Sequence, residues 1–188
     1  MLRIKKQQKE DKQMKKITII DTETQGLDPL KSSIMELAAI FYDVQNTSII
    51  SQCSVLFPVP HNPVEHINKI NPKTTEHITD DIFEHGMQMI QSFINESDAV
   101  VAHYAAFDKA VVGRWTELKI DCPWICSYQD IQWSEKLNLR RRDLATITIA
   151  HNIPVWQQHR ALTDCIYLSQ IFSKYKKHLP NLLTTRGN

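Results

Sequence analysis

Four acidic residues and one histidine stand out in this chain for the chemistry they could share. Asp21 and Glu23 form an Asp-Thr-Glu segment at the end of the β-prone run Ile17-Thr-Ile-Ile20. In an extended chain side chains alternate with a period of two, so both carboxylates would point to one side and could grip one cation. Asp108 follows the apolar run Ala99 to His103, and Asp164 lies in His159-Arg-Ala-Leu-Thr-Asp164 with apolar Ile166 and Leu168 beyond it. Taken singly, each has an ordinary explanation. Asp-x-Glu is a cheap pattern in a chain with 21 acids, and a lone helical Asp is usually solvated. Taken together, four acids in core-like sequence would repel one another and raise each other's pKa unless cations kept them ionised. Four oxygen donors without a matching Cys/His cluster suit hard ions, Mg²⁺ or Mn²⁺ rather than Zn²⁺.

The elements that must position these groups can be read from periodicity. Ile17 to Ile20 reads as a central strand delivering Asp21 at its carboxyl end, with Gln25-Gly-Leu-Asp-Pro29 as a turn. Ile34 to Val44 and Ile49 to Phe57 are two further strand candidates, joined through Gln45-Asn-Thr-Ser48, so the first three strands form an antiparallel meander. Pro58 to Glu84 suits loops and short helices, and Met87 to Asn95 has helical spacing. Ala99 to His103 reads as a buried strand, Ala105 to Leu118 as a helix and Trp124 to Tyr128 as a fifth strand. Asp130 to Leu137, Asp143 to His151 and Arg160 to Lys177 are helical by pattern, with Asp143 as an N-cap. The sum is an α/β layer architecture with a mixed sheet and late crossover helices. Five residues of helix turn through about 500°, so His159 and Asp164 would not share a helix face. His159 is therefore expected on a loop before the helix.

With these residues in place, the chain resembles the DEDD 3′-to-5′ exonucleases of the ribonuclease H-like fold, specifically the DEDDh branch. The first motif is Ile19-Ile-Asp21-Thr-Glu23-Thr-Gln-Gly-Leu-Asp-Pro29, followed by Ile34-Met-Glu36-Leu-Ala38 on the second strand. The second is Val101-Ala-His-Tyr-Ala-Ala-Phe-Asp108, and the third His159-Arg-Ala-Leu-Thr-Asp164-Cys, with the expected five-residue step from His to Asp. The likeness covers roughly residues 16 to 175. It implies a five-stranded mixed sheet, three antiparallel strands then two parallel, flanked by helices. It also implies that Asp21, Glu23, Asp108 and Asp164 hold two Mg²⁺ or Mn²⁺ ions and that His159 is the general base. The resemblance places Thr24 and Leu27 against the terminal sugar and base, with Phe107 lining the same cleft. Leu27 as ordinary turn packing and Phe107 as core are equally open readings. One departure stands out: Tyr104 occupies a position where many members carry Asn after His103.

The composition bounds these readings. The chain has 188 residues, 42% hydrophobic and 23% charged, enough for one domain with a real core. The expected division is a basic leader at residues 1–16, one exonuclease domain at 17–180 and a loose tail at 181–188. The formal net charge of +1 hides an asymmetry, because the leader carries seven Lys/Arg and two acids and the remainder is net −4. An acidic body does not bind polyanions by bulk charge, so local groups or bound cations must supply the attraction. Arg140-Arg-Arg142 is either a solvated surface before a helix or a track for a phosphate backbone. Four scattered cysteines give no disulfide framework and no zinc knuckle, and no apolar run reaches the length of a membrane span, so a cytoplasmic setting is expected.

The resulting expectation is a metal-dependent exonuclease trimming the 3′ end of single-stranded DNA or RNA to nucleoside 5′-monophosphates, alone or with a polymerase or repair complex. A catalytically weak nucleic-acid-binding or polymerase-associated module is the alternative of another class, and a phosphohydrolase of free nucleotides a third.

Overall fold

In the computed structural model of the chain, residues 14–137, 139–176 and 178–183 are described. Most of the basic leader and the end of the C-terminal tail lie outside those residues. Five strands, β1 (Lys16–Thr24), β2 (Ile34–Asp43), β3 (Ser48–Leu56), β4 (Ala99–Ala102) and β5 (Trp124–Cys126), form one sheet in the order β3-β2-β1-β4-β5. The first three pair antiparallel, and β4 and β5 join parallel to β1, which is the expected mixed sheet. β1 sits at the centre because its β-branched residues are buried on both faces: Ile17, Thr18, Ile19 and Ile20 are all fully inaccessible.

Helices cover the two faces. Short α1 (Glu65–Asn68) and α2 (Pro72–Thr75) precede α3 (Asp80–Asn95), and α4 (Ala105–Trp115) follows β4. α3 and α4 pack on the face carrying Ile20, Leu37, Ala39 and Val100. α5 (Leu144–Ala150), α6 (Ala161–Ser173) and α7 (Leu179–Leu182) cover the other face, where Cys165, Leu168 and Phe172 of α6 meet Ile17, Ile19, Ala38 and Ile40. The side chains of β1 thus reach both layers in alternation, which lets one strand end meet acids from helices on opposite faces.

Most expected elements are present with shifted ends. Helix α3 starts seven residues before the expected Met87, because Thr79 caps it by accepting the Ile82 N–H and two acids occupy its first turn. Asp143 does cap α5, accepting from Thr146 N–H at 3.0 Å. The exception is Asp130 to Leu137, expected as a helix: only the 3₁₀ turn Glu135–Leu137 forms. The Asp130 carboxylate instead accepts the Cys126 N–H at 2.7 Å, and Trp133 donates its indole N–H to the Ser127 carbonyl, so these side chains fix an irregular path across the end of β5.

Candidate active site

The cavity that matters opens where β1 ends. About 490 Å³ in volume, it is lined by Asp21, Thr22, Glu23, Thr24, Gly26, Leu27, Val64, Ile67, Asn68, Phe107, His159 and Asp164. Asp21 and Glu23 lie two apart on β1 and both line it. Asp164 comes from the first turn of α6, on the Ile19 face of the sheet, and Asp108 from the first turn of α4, on the opposite face. Thr22, alternating away from its acidic neighbours, donates its hydroxyl to the Asp108 carboxylate at 2.8 Å and so bridges strand to helix. Asp21, Glu23 and Asp164, separated by up to 143 positions, therefore line one cavity, while Asp108 is not among its lining residues and joins them through the Thr22 hydroxyl and its charge on Asp21.

His159 precedes α6 on a bend, as the five-residue spacing requires, and is exposed. One ligand atom each from Glu23, His159 and Asp164 lie within 4.8 Å of one another. The backbone N–H of His159 also hydrogen-bonds the Asp164 carboxylate. His159 has φ of 59°, in the left-handed region that non-glycine residues occupy at a cost of about 1–3 kcal/mol. Strong anchors on either side are needed to hold it there.

The anchor is a pair that the sequence reading did not assign. Glu36 on β2 is directly opposite Glu23 in the ladder and only 1% exposed. It receives Arg160 through Nε at 2.8 Å and a terminal guanidinium nitrogen at 3.3 Å, the Ser54 hydroxyl at 2.6 Å, and the Ala161 N–H at 3.2 Å. Helix α6 has no cap from its own preceding residue, and Glu36 fills that place from another strand. The signal was present as a lone acid inside the otherwise uncharged run Ile34-Met-Glu-Leu-Ala-Ala-Ile40.

Electrostatics set the chemistry of the cluster. Burial, then the charges of Asp108, Asp164, Glu23 and Glu36, hold Asp21 well above the usual carboxylate range. Burial, then Asp164 and Glu36, push Glu23 up to about 8, against a lowering by Arg160. Asp108 and Asp164 rise to about 7, each chiefly by burial, with hydrogen bonds from Thr22 and from His159 respectively pulling them back. Carboxylates crowded in this way are either protonated or neutralised by cations. An all-oxygen set with one nearby imidazole suits a hard divalent cation, which Asp21, Glu23 and Asp164 in the cavity, with Asp108 beside them, could hold.

The remaining expected residues divide. Leu27 is 95% exposed yet lines the cavity, so turn packing does not account for it. Across from it, Ile67 of α1 is also exposed, an apolar wall whose strand-poor, polar sequence gave no warning. Thr24 lines the cavity, but its hydroxyl donates to the Gly26 carbonyl at 2.6 Å, closing the turn. A Cβ on Gly26 would stand 2.9 Å from the Ser32 hydroxyl, so the turn leaves no room for another residue without rearrangement. Phe107 lines the cavity and also packs on the core beneath. Arg140 to Arg142 lie outside this cavity, and the four cysteines are free thiols.

Comparison with known proteins agrees with this geometry. A family model described as exonuclease matches residues 18–172. DNA polymerase III PolC-type of Thermotoga petrophila is 24% identical over 175 residues, 89% of this chain, and that of Thermotoga maritima is 25% identical over the same length. The chain spans 12% of the length of these curated relatives. Among solved structures, the nuclease domain of 3′hExo, a DEDDh family member bound to rAMP, superposes with a TM-score of 0.70 at 12% identity, covering 95% of this chain and all of that one. An E. coli ExoI–ssDNA complex gives 0.67 at 18% identity, covering 90% of this chain and 42% of that one. Exonuclease X in complex with 5′-overhanging duplex DNA gives 0.56 at 24% identity, covering 88% and 98%. The chain belongs to the exonuclease family and has its ribonuclease H-like fold.

Proposed function

Starting from that family membership, we propose that the chain is a cytoplasmic, metal-dependent 3′-to-5′ exonuclease that shortens single-stranded DNA or RNA and releases nucleoside 5′-monophosphates. The observation that supports the proposal is the convergence of Asp21, Glu23 and Asp164 on one cavity beside an exposed His159, with Asp108 joined to them through Thr22. Two Mg²⁺ or Mn²⁺ ions, when bound there, would supply positive charge that polarises the phosphodiester and a water molecule. Asp21, Glu23, Asp108 and Asp164 would hold that charge in place and would in turn be kept ionised by it. A His159 ring nitrogen accepts the proton of the attacking water, and the loop position of the ring, between Glu23 and Asp164, suits that role. Leu27, Ile67, Val64 and Phe107 give the cavity apolar walls on which a terminal base can rest. Thr24, in the turn beside them, would face the terminal sugar. The PolC-type relatives extend the proposal to a polymerase as partner.

The test is an end-labelled digestion panel of single- and double-stranded DNA and RNA, each with a free or blocked 3′ end, with Mn²⁺ or with chelator. The proposal expects stepwise shortening from free 3′ ends in the presence of metal only. Internal cuts, or indifference to the 3′ block, would reject it. Turnover of free mononucleotides in place of oligomers would favour a phosphohydrolase, and binding without cleavage a docking module.

A further inference from the structure

The carboxyl edge of the sheet carries a second set of groups that the cavity does not use. β4 and β5 run parallel to β1, and both end one residue past the Ile19–Val101 pair, beside the step from Ile20 to Asp21, in the order β1, β4, β5. Tyr104 follows the end of β4 and is 53% exposed, although it is among the largest aromatic side chains. Tyr128 follows the end of β5, held there by its N–H bond to the His103 carbonyl. The two rings meet edge to face with centroids 5.3 Å apart. Tyr128 also meets the His103 ring at 5.9 Å. His103 is fixed on both sides: Nδ1 accepts from the Ser127 hydroxyl and Nε2 donates to the Arg142 carbonyl, each at 2.8 Å. That last bond ties the exposed Arg140 to Arg142 segment to the same edge. Arg141 pairs with Asp143 at 3.2 Å.

An exposed tyrosine backed by a half-buried one, with a run of exposed arginines tethered to the same edge of an otherwise acidic body, is an arrangement that suits single-stranded nucleic acid: bases stack on the rings and cations follow the backbone. The placement matches the site as well. Adjacent strands are about 4.8 Å apart, so β4 and β5 end roughly 5 and 10 Å to the side of β1 at the level of Ile20, the residue before Asp21. Stacked nucleotides at about 3.4 Å each would cover that distance in two or three steps. Tyr104 also lies about one helical turn, ~5.4 Å along the axis, before Asp108 on α4.

We propose that the Tyr104–Tyr128 pair, with Arg140 and Arg142 beside it, is a base-stacking subsite for the nucleotides that precede the terminal phosphodiester of a single strand. The subsite deepens the exonuclease reading and rests on it. It would make the protein favour oligomers over dinucleotides with little regard to base identity, because every base has a stacking face.

The test compares a dinucleotide with an octanucleotide of the same 3′ sequence. Binding is read by anisotropy of a 5′-labelled strand on the full chain with Ca²⁺ replacing Mg²⁺, and cleavage by kcat/KM with Mg²⁺. Tyr104→Ala is expected to weaken octamer binding by roughly 5- to 100-fold and to collapse the octamer-over-dinucleotide ratio of kcat/KM. Tyr104→Phe, which keeps the stacking face, is expected to restore both. Arg140→Ala is expected to reduce the slope of log affinity against log salt by about one. Octamer binding by Tyr104→Ala within twofold of the unsubstituted protein would overturn the subsite, and so would a loss in Tyr104→Phe as large as in Tyr104→Ala. Failure of the unsubstituted protein to shorten either oligomer would instead reject the exonuclease reading, while the binding arm would still decide the subsite.

Discussion

Removing divalent metal from this protein should make its stability fall as pH rises. Asp108 is 4% exposed, and burial lifts its pKa from 3.8 to about 7 in the fold. Between those values the folded chain keeps a proton that the unfolded chain has lost, so stability is full below about pH 4 and declines as pH passes through 7. A rise of about three units corresponds to ~4 kcal/mol at 1.36 kcal/mol per unit. Asp21, Glu23 and Asp164 are raised in the same direction and face the same cavity, so the protons leave as a cluster. About two of those three units are crossed between pH 5 and pH 8, ~3 kcal/mol, and for a chain of this length 1 kcal/mol moves Tm by roughly 2–4 °C, so the metal-free protein should lose about 6–12 °C over that range. Added Mg²⁺ or Mn²⁺ should recover more of that loss at pH 8 than at pH 5, because binding requires the carboxylates to shed their protons. Scanning calorimetry in chelator and in excess Mn²⁺ across this range measures both effects. A metal-free Tm that stays flat or climbs from pH 5 to 8, or an equal metal effect at both ends, would refute the reasoning.

Other consequences are more local. Asp21→Ala or Asp164→Ala should abolish metal-dependent cleavage in the end-labelled assay, and His159→Ala should reduce kcat at saturating metal roughly 10²- to 10⁴-fold. Arg160→Met leaves the Glu36 carboxylate buried without its ion partner; with Arg160 one-third exposed and the Ser54 and Ala161 bonds kept, a loss of about 2–3 kcal/mol is expected by denaturant titration, together with lower kcat from a displaced His159. Thr22→Val removes the hydroxyl that lowers the Asp108 pKa, so the metal requirement, measured as the Mn²⁺ concentration for half-maximal rate, should rise most at low pH. Leu27→Ala should change stability by less than about 0.5 kcal/mol, as expected for a side chain 95% exposed, while raising KM for a short oligomer.

Much of the site could be read from the chain because its acids sit where periodicity changes. Asp21 ends a β-branched run and Asp108 begins a helix after an apolar strand, so the elements themselves announce the strand-end location. His159 could be placed on a loop from helix geometry alone. What stayed hidden depends on partners distant in sequence. Glu36 and Arg160 lie 124 positions apart, and only the folded sheet makes the acid of β2 the cap of α6. Ile67 carries no pattern that marks it as cavity wall, because α1 is a four-residue helix in a polar stretch. Asp130 to Leu137 failed as a helix since the Asp130 and Trp133 side chains reach back to the Cys126 N–H and the Ser127 carbonyl, local bonds that outweigh helical propensity.

The claim under all of this is that four carboxylates on three elements act as one metal site. Anomalous diffraction from crystals grown with Mn²⁺ and a nucleoside 5′-monophosphate tests it directly. The account predicts two peaks about 3.5–4 Å apart, ligated by Asp21, Glu23, Asp108 and Asp164, with the phosphate of the nucleotide against them. Manganese absent from this cavity, or held without these four side chains, would contradict it.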